Sequence, residues 1–257
     1  MKAHEICDLL EKLSPKQYAC DWDNVGLHVG RKEKDVKKVL VSLDIDDSAV
    51  DYALETGTDM IVSHHPLIFK GIRQINEENI VGRRILTLAE NKINAYCMHT
   101  NYDTIGGMAE AAAKRLGLSD CEIFEEVLNG EGLGRIGNLS EKMSVGELCE
   151  IVKKAFSLEK VVLFGDENAM CSRVVVFPGS GKDEIAEAIK AGADVIITGD
   201  VTYHYGIDSV AEGINVIDAG HYGIEHIFID EISEYLLQNT DGVEVIKMQL
   251  NNPQKYI

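Results

Sequence analysis

The 257-residue chain contains only four prolines, one tryptophan (Trp22) and 6% aromatic residues. So little proline excludes an extended Pro-rich chain, and 45% hydrophobic against 26% charged residues excludes disorder. Long apolar runs are missing too: nothing approaches the roughly 18 uninterrupted apolar residues of a membrane span. Met1-Lys2-Ala3-His4-Glu5 leads into an acidic amphipathic stretch instead of an apolar signal core. The expectation is a protein neither secreted nor membrane-spanning. Clustered cysteines are absent, since Cys7, Cys20, Cys97, Cys121, Cys149 and Cys171 are scattered without a CxxC in a chain too large to need disulfide staples. A cytoplasmic, reducing compartment is expected. Positive charge is scarce, with 25 Lys and Arg against 43 Asp and Glu for a net charge of −18. Such a surface repels phosphate backbones and anionic headgroups. The densest basic run, Arg31 to Lys38, is broken by Glu33 and Asp35, so neither a nucleic-acid nor a membrane partner is expected.

What is present is a succession of apolar strands and amphipathic helices. Residues 2–13 read as a short helix, 21–30 (DWDNVGLHVG) as a glycine-bearing turn region and Val39–Leu43 as a buried strand. Asp46, Asp47 and Ser48 supply capping chemistry for a helix over about 48–56 that Gly57 stops, and Asp59–Ser63 is a second apolar strand ending at His64-His65-Pro66. Strands that are apolar on both faces, separated by helices, predict an α/β fold with largely parallel sheets flanked by helices. Shifted by 135 residues, Val39–Ser63 lies without gaps on Val174–Thr198, with Gly57 on Gly192, Asp59 on Asp194 and Ile61 on Ile196. This reads as an internal repeat of two similar α/β domains, 1–128 and 129–257, with 119–146 as a flexible connector and no inserted middle domain. The C-terminal helix is free to pack back on the first half. Gly132-Leu133-Gly134-Arg135-Ile136-Gly137 spells GxGxxG, but no helix opens before about Val145, so a glycine-bearing strand or hairpin is expected there and not a dinucleotide loop.

Histidines and carboxylates gather where the strands end, the place where ligand sites form in open parallel sheets, and a site shared by the halves is expected. His64 and His65 are adjacent at a strand end, so their side chains should point opposite ways. That arrangement suits two different metal ions, or one ligand and one outer group. His99 and Asp103 follow the strand Ile93–Cys97. Asp103 alone would read as a helix N-cap, and its neighbour His99 argues for a ligand. His221 and Glu225 fall one turn apart on one face once a helix has begun, and a carboxylate there can bridge two cations. At the fourth strand end, Thr198-Gly199-Asp200, the paired imidazoles are lost; Asp200 or His204 either orients ligands, touches substrate or forms a structural turn. His4, His28 and His226 are given no role, and Cys97 reads as core. Imidazole and carboxylate donors suit zinc, iron, manganese or nickel alike. Two such ions would activate water as a nucleophile, and no GxSxG or GxxxxGK[ST] competes.

The motifs DWDNVGLHVG, IVSHHPLIF, MHTNYD with the following GG, IITGDVTYH and DAGHYGIE stand in order along the whole chain. In this it resembles the GTP cyclohydrolase 1 type 2 homologues, also called NGG-one-interacting-factor-three-like or dinuclear-metal-centre hexameric proteins. The resemblance implies two divalent metal ions per chain held by His64, His65, Asp103, His221 and Glu225, the residues already singled out. It further implies a metal site between two similar α/β domains and a toroidal homohexamer. The activity it implies is a metal-activated water attacking a purine nucleotide such as GTP or a related heterocycle; His99, from its position beside Asp103, is the expected proton shuttle. A di-metal phosphoesterase or amide hydrolase would use the same ligands, and a non-catalytic ring-forming metal scaffold or regulator is the alternative outside enzymes.

Overall fold

Helix α1 (Ala3–Leu13) buries Ala3, Ile6, Cys7 and Leu10, the i, i+3, i+4, i+7 spacing of one helical face. In the computed structural model, which describes residues 1–255, it is followed by strand β1 (Gly26–Val29). The stretch 21–30 is therefore turn-like only in its first half. Next come β2 (Lys38–Ser42), α2 (Asp47–Thr56) and β3 (Met60–Ser63). The carboxylate of Asp46 caps α2 by accepting the Ala49 N–H at 2.8 Å, and Gly57, at φ 65°, ends it. Helix α3 (Ile80–Glu90), capped by Asn79, leads to β4 (Asn94–Cys97) and the short α4 (Thr100–Thr104).

The chain continues through α5 (Met108–Arg115), β5 (Ser119–Leu128), β6 (Glu131–Ser144), α6 (Val145–Ala155), β7 (Val162–Phe164) and β8 (Met170–Ser180). Then follow α7 (Ile185–Lys190), β9 (Val195–Gly199), α8 (Tyr203–Glu212), β10 (Asn215–Asp218), α9 (His221–Glu225), α10 (Ile227–Asn239) and β11 (Glu244–Lys247). Two compact units result, the first formed by Met1–Gly106 with Phe228–Asn251 and the second containing Gly107–Ile227. The division at 128/129 expected from sequence falls instead at the tip of the β5–β6 hairpin.

The first unit carries a five-stranded sheet, β1-β4-β3-β2-β11, in which every neighbour pair but β1–β4 is parallel. Leu40, Ile61 and Ala95 line one face and pack with Val50, Ala53, Ile85 and Leu88 from the helices. The second unit carries a six-stranded sheet, β5-β6-β8-β9-β10-β7. Only β8–β9 and β9–β10 are parallel there, so the largely parallel arrangement holds for the first sheet and the second is mixed. The cause is local: Asn129 and Gly130, at φ 53° and 76°, form the two-residue turn that folds β5 back on β6. The connector is thus ordered as a hairpin, and the glycine-bearing strand expected at Gly132, Gly134 and Gly137 is its second strand.

The same hydrogen bonds recur in each unit at the 135-residue offset. The Asp59 carboxylate accepts the N–H groups of Lys37 and Lys38 at 2.8 and 3.2 Å, and that of Asp194 accepts those of Ser172 and Arg173 at 2.8 and 3.0 Å. Gly30 and Gly165, also 135 apart, both have positive φ, and a Cβ at either would overlap the carboxamide of Asn94 or Asn215 respectively. No helix of the described residues is long and apolar enough to cross a membrane.

Candidate metal centre

Strand β3 ends at Ser63, so the pleat no longer alternates side chains at the next two residues. His64 and His65 accordingly do not point to opposite sides: their rings stand 5.0 Å apart between centroids, and His99 completes a triangle at 5.2 and 5.7 Å. One ligand atom from each of His64, His65 and His99 can be chosen so that all three lie within 4.8 Å of one another, a group able to hold a metal ion.

Each ring is oriented through Nδ1. In His64, which is fully buried, Nδ1 is 2.8 Å from the Met98 carbonyl oxygen. A carbonyl only accepts, so Nδ1 donates its hydrogen and Nε2 carries the lone pair. His65 Nδ1 lies 2.8 Å from Asp44 Oδ1, and His99 Nδ1 lies 2.9 Å from Asp23 Oδ1. A carboxylate or carbonyl behind the imidazole is how metal-binding histidines are fixed in one tautomer.

Asp103 lies within α4, and His99, not Asp103, occupies the N-cap position; the Asp103 carboxylate instead approaches His64 Nε2 at 3.5 Å. Asp23 is fully buried as a side chain. It accepts hydrogen bonds from His99, from the Asn24 N–H and from both the N–H and hydroxyl of Thr100, the last at 2.6 Å. Burial opposes its ionisation, yet the bonds from His99 and Thr100 outweigh it and hold the carboxyl down at about 2. His28 accepts the Ile68 N–H at Nδ1 and lies 3.0 Å from the Asn24 carbonyl through Nε2, while burial lowers its pKa, so it acts as a neutral strut.

In the second unit, His221 opens α9 and Glu225 closes it, with Nε2 and Oε2 2.9 Å apart. Asp200 Oδ2 meets His221 Nδ1 at 2.8 Å, the same oxygen-behind-imidazole arrangement. Of the two sequence candidates in that loop, Asp200 is thus the orienting group, whereas His204 lies exposed on α8 against the Tyr203 ring. Glu225 is buried, and two glycines leave room for the pair. A Cβ on Gly179, at φ 77°, would stand 2.7 Å from Glu225 Oε1, and one on Gly199 would collide with the His221 backbone nitrogen. Asp218 ties the loop together by accepting the N–H groups of Val201 and Gly220 at 2.9 and 2.8 Å. Burial raises its pKa despite these bonds, and the charge of Asp200 adds to the rise.

The donors are imidazole nitrogens and carboxylate oxygens, a set that fits zinc, iron, manganese or nickel. Cys97, at the end of β4, is buried and engaged with the Asn24 carbonyl and His28, and burial pushes its thiol far up, so it offers no thiolate. A cavity of about 700 Å³ beside Arg31, Lys34, Lys92 and Asn94 lies at the amino end of β4, away from the histidines at the carboxyl ends. Sequence reasoning missed Asp23 and Asp44. Their positions, Asp44 just after β2 and Asp23 within DWDN, mark them as polar strand-end or turn residues, but nothing in the spacing names the histidines they meet.

The family model of Duf34/NIF3 (NGG1p interacting factor 3) matches residues 1–253. The chain is 34% identical over 262 residues to the GTP cyclohydrolase 1 type 2 homolog of Clostridium perfringens (strain 13 / Type A), covering 100% of both chains. The crystal structure of Staphylococcus aureus hypothetical protein SA1388 matches with a TM-score of 0.92 at 27% identity, over 100% of this chain and 99% of that one. Reduced HcgD from Methanocaldococcus jannaschii matches with a TM-score of 0.86 at 31% identity, over 97% and 98%.

Proposed function

The chain belongs to the Duf34/NIF3 family, and from that premise we propose that it is a di-metal-dependent hydrolase acting on a purine nucleotide or related heterocycle. Two divalent ions per chain are held by His64, His65, Asp103, His221 and Glu225. One observation carries the reading: His64, His65 and His221 each have Nδ1 engaged by an oxygen, which leaves Nε2 as the atom to meet a metal. When bound, the ions supply a water made nucleophilic at neutral pH and positive charge that offsets charge developing on the substrate.

The chain's own residues do the rest. Asp23, ionised at neutral pH, fixes the His99 ring through Nδ1, which leaves Nε2 as the atom at which His99 accepts and returns a proton. Met98, Asp44 and Asp200 hold the other imidazoles in place without touching substrate.

The test is elemental analysis of the purified protein, followed by GTP turnover with formate detection before and after chelation and metal restoration. Two ions per chain with metal-dependent formate release is the expected result. Bound ions without formate release from GTP would overturn the cyclohydrolase assignment, and His99→Ala retaining full turnover would remove its proton-transfer role. Assembly as a homohexamer belongs to the same proposal, checked by a native mass near six times the 28.3 kDa chain.

A further inference from the structure

The single tryptophan, Trp22, is 61% exposed, and Phe69 beside it is 48% exposed. A lone exposed aromatic needs no explanation, but these two form a pair, with ring centroids 5.8 Å apart and planes tilted by 57°. Both stand over the same imidazole: His99 meets Trp22 at 6.0 Å and Phe69 at 6.2 Å, each nearly edge-on. His99 is the member of the histidine triangle that the proposed hydrolysis uses for proton transfer. The pair therefore forms an apolar wall beside the place where a substrate ring would react.

The exposure does not come from a loose loop. Asn24 Nδ2 donates to the Ile68 carbonyl at 2.6 Å, and the Ile68 N–H donates to His28 Nδ1. Those bonds join the segment after Trp22 to the segment before Phe69. Asp23, next to Trp22, is anchored to His99 and Thr100. The two rings are thus held in position before any ligand arrives, which lowers the ordering cost of binding. Exposed aromatic faces fixed in this way stack flat heterocycles, and every nucleobase has a face to offer. The same loop carries Lys70 and Arg73, both exposed and, among the described residues, in no ion pair. By contrast, Arg83 and Arg84 both pair with Asp47. On a chain of net charge −18, two uncommitted cations suit an anionic substituent on the stacked ring.

We infer that Trp22 and Phe69 form a stacking subsite that holds the flat heteroaromatic ring of a phosphate-bearing substrate beside His99. This deepens the hydrolase reading and rests on it for the choice of a reacting ring.

Because Trp22 is the only tryptophan, its emission reports on this subsite alone. The experiment titrates the full-length protein at fixed metal loading with GTP, guanosine, ribose 5-phosphate and inorganic triphosphate, correcting for inner-filter absorption. Saturable quenching by GTP and guanosine, with none by ribose 5-phosphate or triphosphate, is expected. GTP should bind more tightly than guanosine, and Lys70→Ala with Arg73→Ala should erase that difference. Phe69→Ala should raise the apparent Kd about 10- to 100-fold with unchanged metal content, and Trp22→Phe, followed by calorimetry, should keep most of the affinity where Trp22→Ala loses it. Emission unmoved by GTP and guanosine in metal-loaded protein would overturn the subsite while leaving the metal reading intact. Blue-shifted emission shielded from acrylamide in the native assembly would overturn it too, because the pair would then be covered by another copy. Normal quenching in protein that binds no metal would support the subsite and sink the di-metal reading instead.

Discussion

The carboxylate of Asp44 meets Nδ1 of His65 at 2.8 Å, so a residue at the end of β2 fixes the ring of a residue beyond the end of β3. The two are neighbours because β2 and β3 pair in parallel, with Ser42 opposite Ser63, which brings both strand ends to one level. If His65 is a ligand through Nε2, Asp44 sets its tautomer and its aim. Asp44→Ala should then lower metal affinity by about 10- to 100-fold, measured by competition with a chelating dye. Asp44→Asn, which keeps an acceptor oxygen but no charge, should fall between. The fold should be indifferent to either change, since the Asp44 side chain is half exposed, and circular dichroism checks this.

A second prediction concerns Asp59, the carboxylate just before the second strand of the first β-α-β unit. Burial opposes ionisation of Asp59, but the backbone N–H of Lys37, the ammonium of Lys34 and the N–H of Lys38 outweigh it and hold the group below its ordinary value of 3.8. A carboxyl lowered on folding contributes stability that is complete above 3.8 and is lost as pH falls through the lowered folded value. Asp59→Asn should therefore destabilise at neutral pH by about 1–2 kcal/mol and flatten the acid limb of the stability profile. Urea midpoints measured from pH 7 down to pH 3 would show the wild-type and variant curves converging; parallel curves would contradict the assignment.

How far all this was legible in sequence depended on which interactions were local. Helix α2 was readable end to end, because Asp46 and Gly57 mark its limits with chemistry that acts over three or four residues. The histidines and their carboxylates were readable as strand-end residues because an apolar run ending in polar residues locates a strand end. Asp23 and Asp44 were not, since their partners are 76 and 21 residues away and nothing in the spacing joins them. The antiparallel part of the second sheet escaped for a different reason. A glycine-bearing strand or hairpin is readable at 132–137, but its partners are not, and pairing with β5 and β8 supplies what the missing side chains do not. His64 and His65 were expected to diverge on the assumption that the strand continued past Ser63, and it does not.

Glycine at 179 separates the demands of backbone from those of the site. Gly179→Ala suffers twice, because φ 77° strains any L-residue and the new Cβ would press on Glu225 Oε1. Gly192→Ala, at φ 73° with nothing within 4 Å of its Cβ, suffers only the strain. Both should lose about 1 kcal/mol or more of stability, visible as a lower melting temperature. Only Gly179→Ala should also lose bound metal, by tenfold or more, read by elemental analysis after dialysis. Equal metal content in the two variants would mean that Glu225 has no part in binding.

Asp200 presents the opposite trade. Its φ of 58° is a conformation that costs a non-glycine residue energy, though aspartate tolerates it better than most. The position aligns with His65 at the 135-residue offset, so a left-handed backbone is used at this point in the second unit and not in the first. What the strained residue gains is the 2.8 Å contact with His221 Nδ1. Asp200→Gly removes the strain and the carboxylate together, and should leave the melting temperature equal or higher while weakening metal binding about 10- to 100-fold. Asp200→Asn should keep the backbone and part of the contact, and lose less affinity. If Asp200→Gly lowered stability and spared metal binding, the carboxylate would be a structural tie of its loop and not the group that aims His221.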